Sequence, residues 1–163
     1  FFFMVVESDS EPFGSVLVVG LSGPSGAGKS THASRLKDSF SSKLGEGRAT
    51  VFHADHYFKH PSPPPPYRER GGLDMESPSC VDWDRLLSDL DAETSQMEAK
   101  IAHEEAATEG GRREEGAETG GVRQDCAGIV IVEGFLILSS RPLLQRLGLL
   151  LFLEAPLELC LSR

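Results

Sequence analysis

Four short apolar runs are spaced along the chain, with helix-forming or turn-forming stretches between them. They are Val16-Leu17-Val18-Val19, Ala49 to Ala54, Ile129-Val130-Ile131-Val132 and Leu149 to Leu153. Successive side chains of a strand point to opposite faces, so an unbroken apolar run of this length predicts a strand buried on both sides. After the first run, Ala33, Leu36 and Phe40 recur at helical spacing, and no proline interrupts Lys29 to Phe40. Trp83, Leu86, Leu87 and Leu90 fall at i, i+3, i+4 and i+7, which predicts an amphipathic helix. Pro142 to Leu147 predicts a shorter one, and Pro156 stands where another could begin before Leu157, Cys160 and Leu161. Strand alternating with helix predicts the α/β class: a parallel sheet with helices on both faces, a three-layer sandwich.

Two stretches fall outside this alternation. His60 to Gly72 holds five prolines and two glycines and predicts a loop with polyproline II character. Within it, Pro63-Pro64-Pro65-Pro66-Tyr67-Arg68 fits the PxxPxR pattern of an SH3 ligand. Residues 92–127 are rich in Glu, Ala, Gly and Thr; the first half extends the preceding helix, and Glu109 to Gly121 is expected to be a disordered acidic insertion. The expected organisation is therefore an N-terminal tail over residues 1–15 and one domain over 16–163 that carries this insertion.

Charge sharpens that division. The 163 residues carry a formal net charge of −9, but 91–125 alone hold ten acidic and four basic residues. The rest of the chain is close to neutral, without the basic footprint of a nucleic-acid binder. Cys80, Cys126 and Cys160 are odd in number and far apart, which suits free thiols in a reducing compartment. The apolar start Phe1 to Val6 lacks a positive flank and runs into Glu7 and Asp9, so it makes a poor signal peptide. No apolar run approaches the roughly 20 residues of a membrane span. A cytoplasmic protein without membrane or nucleic-acid partners is the expectation.

The chemistry centres on Gly23-Pro24-Ser25-Gly26-Ala27-Gly28-Lys29-Ser30, which fits GxxxxGK[ST]. In such a loop, backbone N–H groups at a helix start point inward and cradle phosphate oxygens. Glycines let the chain come close and adopt φ values that side chains forbid. Lys29 supplies a cation for the outer phosphates, and the Ser30 hydroxyl is a hard oxygen ligand for Mg²⁺. Lying between an apolar run and a helix, this loop implies a site for a nucleoside triphosphate.

In open parallel sheets, ligands bind beyond the carboxyl ends of the strands. Asp55 and Glu133 follow two of the runs and so belong at the edge that presents the loop. A carboxylate there can hold Mg²⁺ or accept a proton from an attacking hydroxyl. Histidines 53, 56 and 60 do not match a zinc spacing. Asp125-Cys126-Ala127-Gly128 spells DxxG but precedes its strand, and no NKxD accompanies it, which weighs against a GTPase.

The ordered series then extends well beyond the loop. Gly23 to Thr31 is followed by His53-Ala54-Asp55-His56-Tyr57-Phe58-Lys59 and Leu73-Asp74-Met75-Glu76-Ser77-Pro78. Next come Val81-Asp82-Trp83-Asp84, Ile131-Val132-Glu133-Gly134-Phe135-Leu136-Ile137, Leu151-Phe152-Leu153 and Pro156-Leu157-Glu158-Leu159-Cys160. In this series the chain resembles the uridine kinase-like P-loop kinases, and within them the nicotinamide riboside kinases. The resemblance implies a P-loop nucleoside kinase-like sandwich with ATP and Mg²⁺ as cofactors. It implies that Gly23, Ser25, Gly26, Ala27, Gly28, Lys29, Ser30 and Thr31 hold ATP. Ser30 and Glu133 would attend Mg²⁺, and Lys29 the migrating phosphoryl group. Asp55 would draw the proton from a nucleoside 5′-hydroxyl, Asp74 would grip the ribose 2′- and 3′-hydroxyls, and Tyr57 would contact the substrate.

His56 stands where these kinases commonly show a second Asp, and Leu73 where they tend to place an aromatic residue. The chain stops at Arg163, before the segment that forms their arginine-bearing lid. The activity so implied is phosphorylation of nicotinamide riboside to its mononucleotide, a step of NAD biosynthesis. A uridine or cytidine kinase is the alternative, and a nucleotide-binding protein without turnover is another. Uridine kinases usually carry a hairpin after the helix that contains Trp83, where this chain has the acidic insertion.

Overall fold

The structure is a computed structural model and describes residues 5–7, 14–59, 77–108, 126–156, 158 and 160. A five-stranded sheet forms its centre: β1 (Val5–Glu7), β2 (Val16–Ser22), β3 (Ala49–His53), β4 (Gly128–Glu133) and β5 (Leu149–Phe152). Their order across the sheet is β1-β5-β2-β4-β3. The four strands from β2 to β5 run parallel, as their apolar runs required, and β1 alone is antiparallel, on β5. β1 lies inside the stretch read as a tail.

Side-chain alternation sorts the core into two layers. Val19, Leu21, Ala49, Ile129 and Ile131 face helix α1 (Lys29–Leu44) and pack with Ala33. Val16, Val18, Val130 and Val132 face the other way, onto Leu86, Leu90, Met97 and Ile101 of helix α2 (Trp83–Thr108). The same layer takes in Ile137, Leu143 and Leu147, with Leu143 on the short helix α3 (Arg141–Leu144). Helices therefore cover both faces, and the three-layer α/β sandwich expected from the alternation is what forms. Each fully buried Leu or Ile contributes about 1.5–3 kcal/mol of transfer free energy.

Helix α2 runs 26 residues and extends the stripe begun by Leu86 and Leu90 through Met97 and Ile101. The block 92–127 is thus helical as far as Thr108. Two of its acidic side chains have partners there: Glu93 accepts from Thr50 Oγ1 at 2.7 Å, and Glu104 from Arg48 Nη2 at 2.5 Å. The proline-rich segment 60–72, Asp74 and Glu109 to Gly121 lie outside the described residues. No helix among the described residues is long and apolar enough to cross a membrane.

The connections place a crevice at one end of the sheet. β2 leads through α1 on one face to β3, whereas β4 leads through α3 on the other face to β5. The chain therefore departs to opposite sides after the adjacent strands β2 and β4, which is where open α/β sheets bind ligands.

Candidate active site

The loop leaving β2 is shaped by glycines. Gly26 has φ +78° and Gly28 has φ +87°, both left-handed. A Cβ on Gly26 would lie 2.5 Å from the carbonyl oxygen of Cys160, so only hydrogen fits between this loop and the segment after β5. Gly28 is the N-cap of α1 and supplies no side-chain capping bond. The first four N–H groups of a helix lack intrahelical acceptors, and here no side chain caps them at Gly28, which suits an anion. Gly23, Ser25 and Ala27 complete the loop, and Thr31 follows Ser30, both exposed, in the first turn of α1.

Lys29 folds back over this cradle. Its Nζ donates to the carbonyl of Pro24 at 3.0 Å and lies 6.0 Å from the centre of the Phe135 ring. The residue is only 9% exposed. Burial pulls its ammonium below the ordinary lysine value, while the charges of Glu133, Asp55 and Cys160 work in the opposite direction. A buried ammonium whose charge two carboxylates favour is equipped to meet phosphate.

Register explains the rest of the mouth. Leu21, Glu133 and His53 are aligned across β2, β4 and β3, and alternation puts all three on the α1 side of the sheet. Glu133 is 3% exposed, and the Ser30 hydroxyl in the first turn of α1 donates to its Oε1 at 2.9 Å. The His53 ring bonds to the same oxygen from the other side, Nδ1 to Oε1, at 2.6 Å. Nothing in the spacing of the histidines marked His53 for this place; the signal lay in its parity with Glu133. Ser22, on the opposite face at the same tip, is 1% exposed, and its Oγ has no hydrogen-bond partner among the described residues.

Asp55 stands exposed on a 3-10 turn, Ala54–Tyr57, that begins where β3 ends. The turn packs closely on the loop after β4: a Cβ on Gly134 would come within 2.7 Å of the Ala54 Cβ. Two small residues thus bring the strand ends bearing Asp55 and Glu133 together. Phe58 and Phe135 add an aromatic pair across the same two loops, ring centres 6.4 Å apart.

The Tyr57 hydroxyl is engaged by helix α2. Its hydroxyl donates to Asp89 of α2 at 3.0 Å, and its ring lies against Phe52 and beneath the Arg85 guanidinium. Burial, helped by the bond to Asp89, pushes the phenol up to about 12. Asp74 lies outside the described residues, as does His60. Of the sequence candidates, the structure brings Lys29, Ser30 and Glu133 together with the loop and keeps Asp55 within electrostatic reach of Lys29.

The donors fit Mg²⁺. Among the described residues no group of three or more His, Cys, Asp or Glu side chains could enclose a metal on its own. Mg²⁺ does not need such a cage: it keeps several waters and takes one or two carboxylates plus phosphate oxygens. A hydroxyl and a carboxylate 2.9 Å apart at the mouth of an anion cradle are hard oxygen donors of that kind.

Comparison with known proteins gives the family. The sequence model of the Phosphoribulokinase / Uridine kinase family matches residues 18–163. The chain belongs to this family. It is 29% identical over 147 residues to the uridine kinase of Yersinia pestis (strain Pestoides F), which covers 90% of this chain and 66% of that protein. The uridine kinases of Yersinia pseudotuberculosis serotype O:1b (strain IP 31758) and Vibrio cholerae serotype O1 (strain ATCC 39315 / El Tor Inaba N16961) give the same identity and coverage. The chain thus spans 66% of the length of these curated relatives.

Proposed function

We propose that this chain carries the catalytic core of a kinase that uses ATP to phosphorylate the 5′-hydroxyl of a ribonucleoside. The observation that carries the reading is the Ser30–Glu133 bond at the lip of the phosphate cradle, with Asp55 exposed one strand away.

In this reading the loop amides and Lys29 hold the triphosphate. Ser30 and Glu133 hold Mg²⁺, which when bound offsets charge on the phosphate oxygens. Asp55 accepts the proton of the 5′-hydroxyl as its oxygen bonds to the γ-phosphorus. The bond from that phosphorus to the β–γ bridging oxygen breaks, and ADP leaves. Catalysis of this kind is mostly positioning and charge neutralisation, which matches a site built of amides, one ammonium and carboxylates. Asp74 grips the ribose hydroxyls. Tyr57, its hydroxyl committed to Asp89, offers a nucleoside only its ring.

Two substrates are supported from different directions. Glu133-Gly134-Phe135-Leu136 and the acidic insertion after the Trp83 helix favour nicotinamide riboside. The name uridine kinase, which the relatives carry, favours uridine, with cytidine as the alternative pyrimidine nucleoside. The test is a panel of nicotinamide riboside, uridine, cytidine, adenosine and ribulose 5-phosphate with ATP and Mg²⁺, using the full-length protein. Phosphorylated nucleoside and ADP in equal amounts are expected. Nucleotide binding with no ADP release from any acceptor would reject the kinase and favour a binding protein.

A further inference from the structure

We propose that His53 is a positioning residue that fixes the carboxylate of Glu133 for the metal. The inference rests on the reading of Ser30 and Glu133 as the pair that attends Mg²⁺.

His53 is the last residue of β3, and parallel register sets it beside Glu133 on the same face of the sheet. A carboxylate can only accept, so Nδ1 carries the hydrogen in the 2.6 Å contact with Oε1. Ser30 donates to that same oxygen. Both bonds therefore end on Oε1, and among the described residues no hydrogen bond reaches Oε2, the oxygen that would be left for a cation or its water. A buried carboxylate needs donors to offset its lost hydration, and a long side chain needs them to choose one rotamer.

The two donors are not equivalent. Ser30 must also present its lone pairs to the ion, so its bond to Glu133 cannot be independent of what the site binds. His53 has no such second duty, and it holds the carboxylate in either condition. The ring is itself restrained by His56, whose centre lies 5.1 Å away at an interplanar angle of 50°. A histidine placed merely to fill the core would be enclosed; this side chain is 30% exposed, against 4% for that of Glu133. Its removal therefore leaves no large internal void, and the fold should survive.

Mn²⁺ titrated into the full-length protein with ADP, read by electron paramagnetic resonance, tests the assignment. Loss of a partner that orients a metal ligand typically weakens the metal 10–100-fold, so H53A should raise the Mn²⁺ Kd by about 10-fold or more. Metal-free ADP binding and the melting temperature should stay near wild type. His53→Asn places an amide N–H close to the position of Nδ1 and should restore most of the affinity. Wild-type Mn²⁺ affinity in H53A, or equal weakening in H53A and H53N, would overturn the role of His53 while leaving the site intact. A wild-type protein that binds no Mn²⁺ with ADP would overturn the metal site itself, and this inference with it.

Discussion

At the end of β4, Glu133 is buried and bonded to Ser30 and His53; at the end of β3, one strand away, Asp55 is exposed and no side chain among the described residues bonds to it. Both are carboxylates at the ends of apolar strands, and the charge of each favours the charged form of Lys29. The difference teaches what each can do. A carboxylate held by two donors keeps its position when its surroundings change, as a metal ligand must. One left free can change its hydrogen-bonding partner, as a base that receives a proton must. Alternation decides which is which: Glu133 is the last residue of its strand and points into the α1 layer, whereas Asp55 comes two residues after His53, on a turn.

The sharpest way to break this comparison is to neutralise each acid in turn. Asp55→Asn should lower kcat by about 1,000-fold, the middle of the range for general acid–base catalysis, with little change in MgATP affinity measured by calorimetry. Should nucleotide affinity fall instead of turnover, Asp55 belongs with the metal and the contrast collapses. Lys29→Ala should cost about 100- to 1,000-fold in kcat, since it removes a preorganised cation from the transferring group. Glu133→Gln should act on the metal, raising the Mn²⁺ Kd by about 10- to 100-fold in the resonance titration.

Asp91 separates tethering from burial and sets the small end of the scale. It is exposed, yet Arg146 bonds both its oxygens, at 2.7 and 2.8 Å. That hydrogen bond holds its carboxyl below the ordinary value. Solvent screens such a pair, so Asp91→Asn should cost only about 0.2–1 kcal/mol in denaturant unfolding at neutral pH. Because the folded value is lowered, the contribution is complete above the unfolded carboxylate value of about 3.9 and disappears as pH falls through the folded one. Wild type and variant should therefore converge in acid. A difference that persisted at low pH would mean that Asp91 acts through packing.

The positions of β2 to β5 were legible because each is buried on both faces and so reads as continuous apolar sequence. Their ends were less so: β2 continues through Gly20, Leu21 and Ser22, where a missing side chain and a hydroxyl interrupt the pattern but not the ladder. The length of α2 was only half visible, since Met97 and Ile101 are sparse apolar residues amid Glu and Ala, and it is packing on Val16 and Val130 that gives them meaning. In the site, the phosphate loop and Glu133 could be read from local motif and strand end. His53 could not, because its role depends on which strand lies beside β3, a pairing made across 80 residues of sequence. The same holds for the Cys160 carbonyl that closes on Gly26.

Val5–Glu7 lies along the outer side of β5, so the chain's own start occupies the hydrogen-bonding groups there. Stripped of it, Leu149–Phe152 would become an apolar open border, a template for any passing strand. Trimming residues 1–13 would leave the phosphate-binding end untouched yet promote self-association along that border, a change visible in light scattering before it touched turnover.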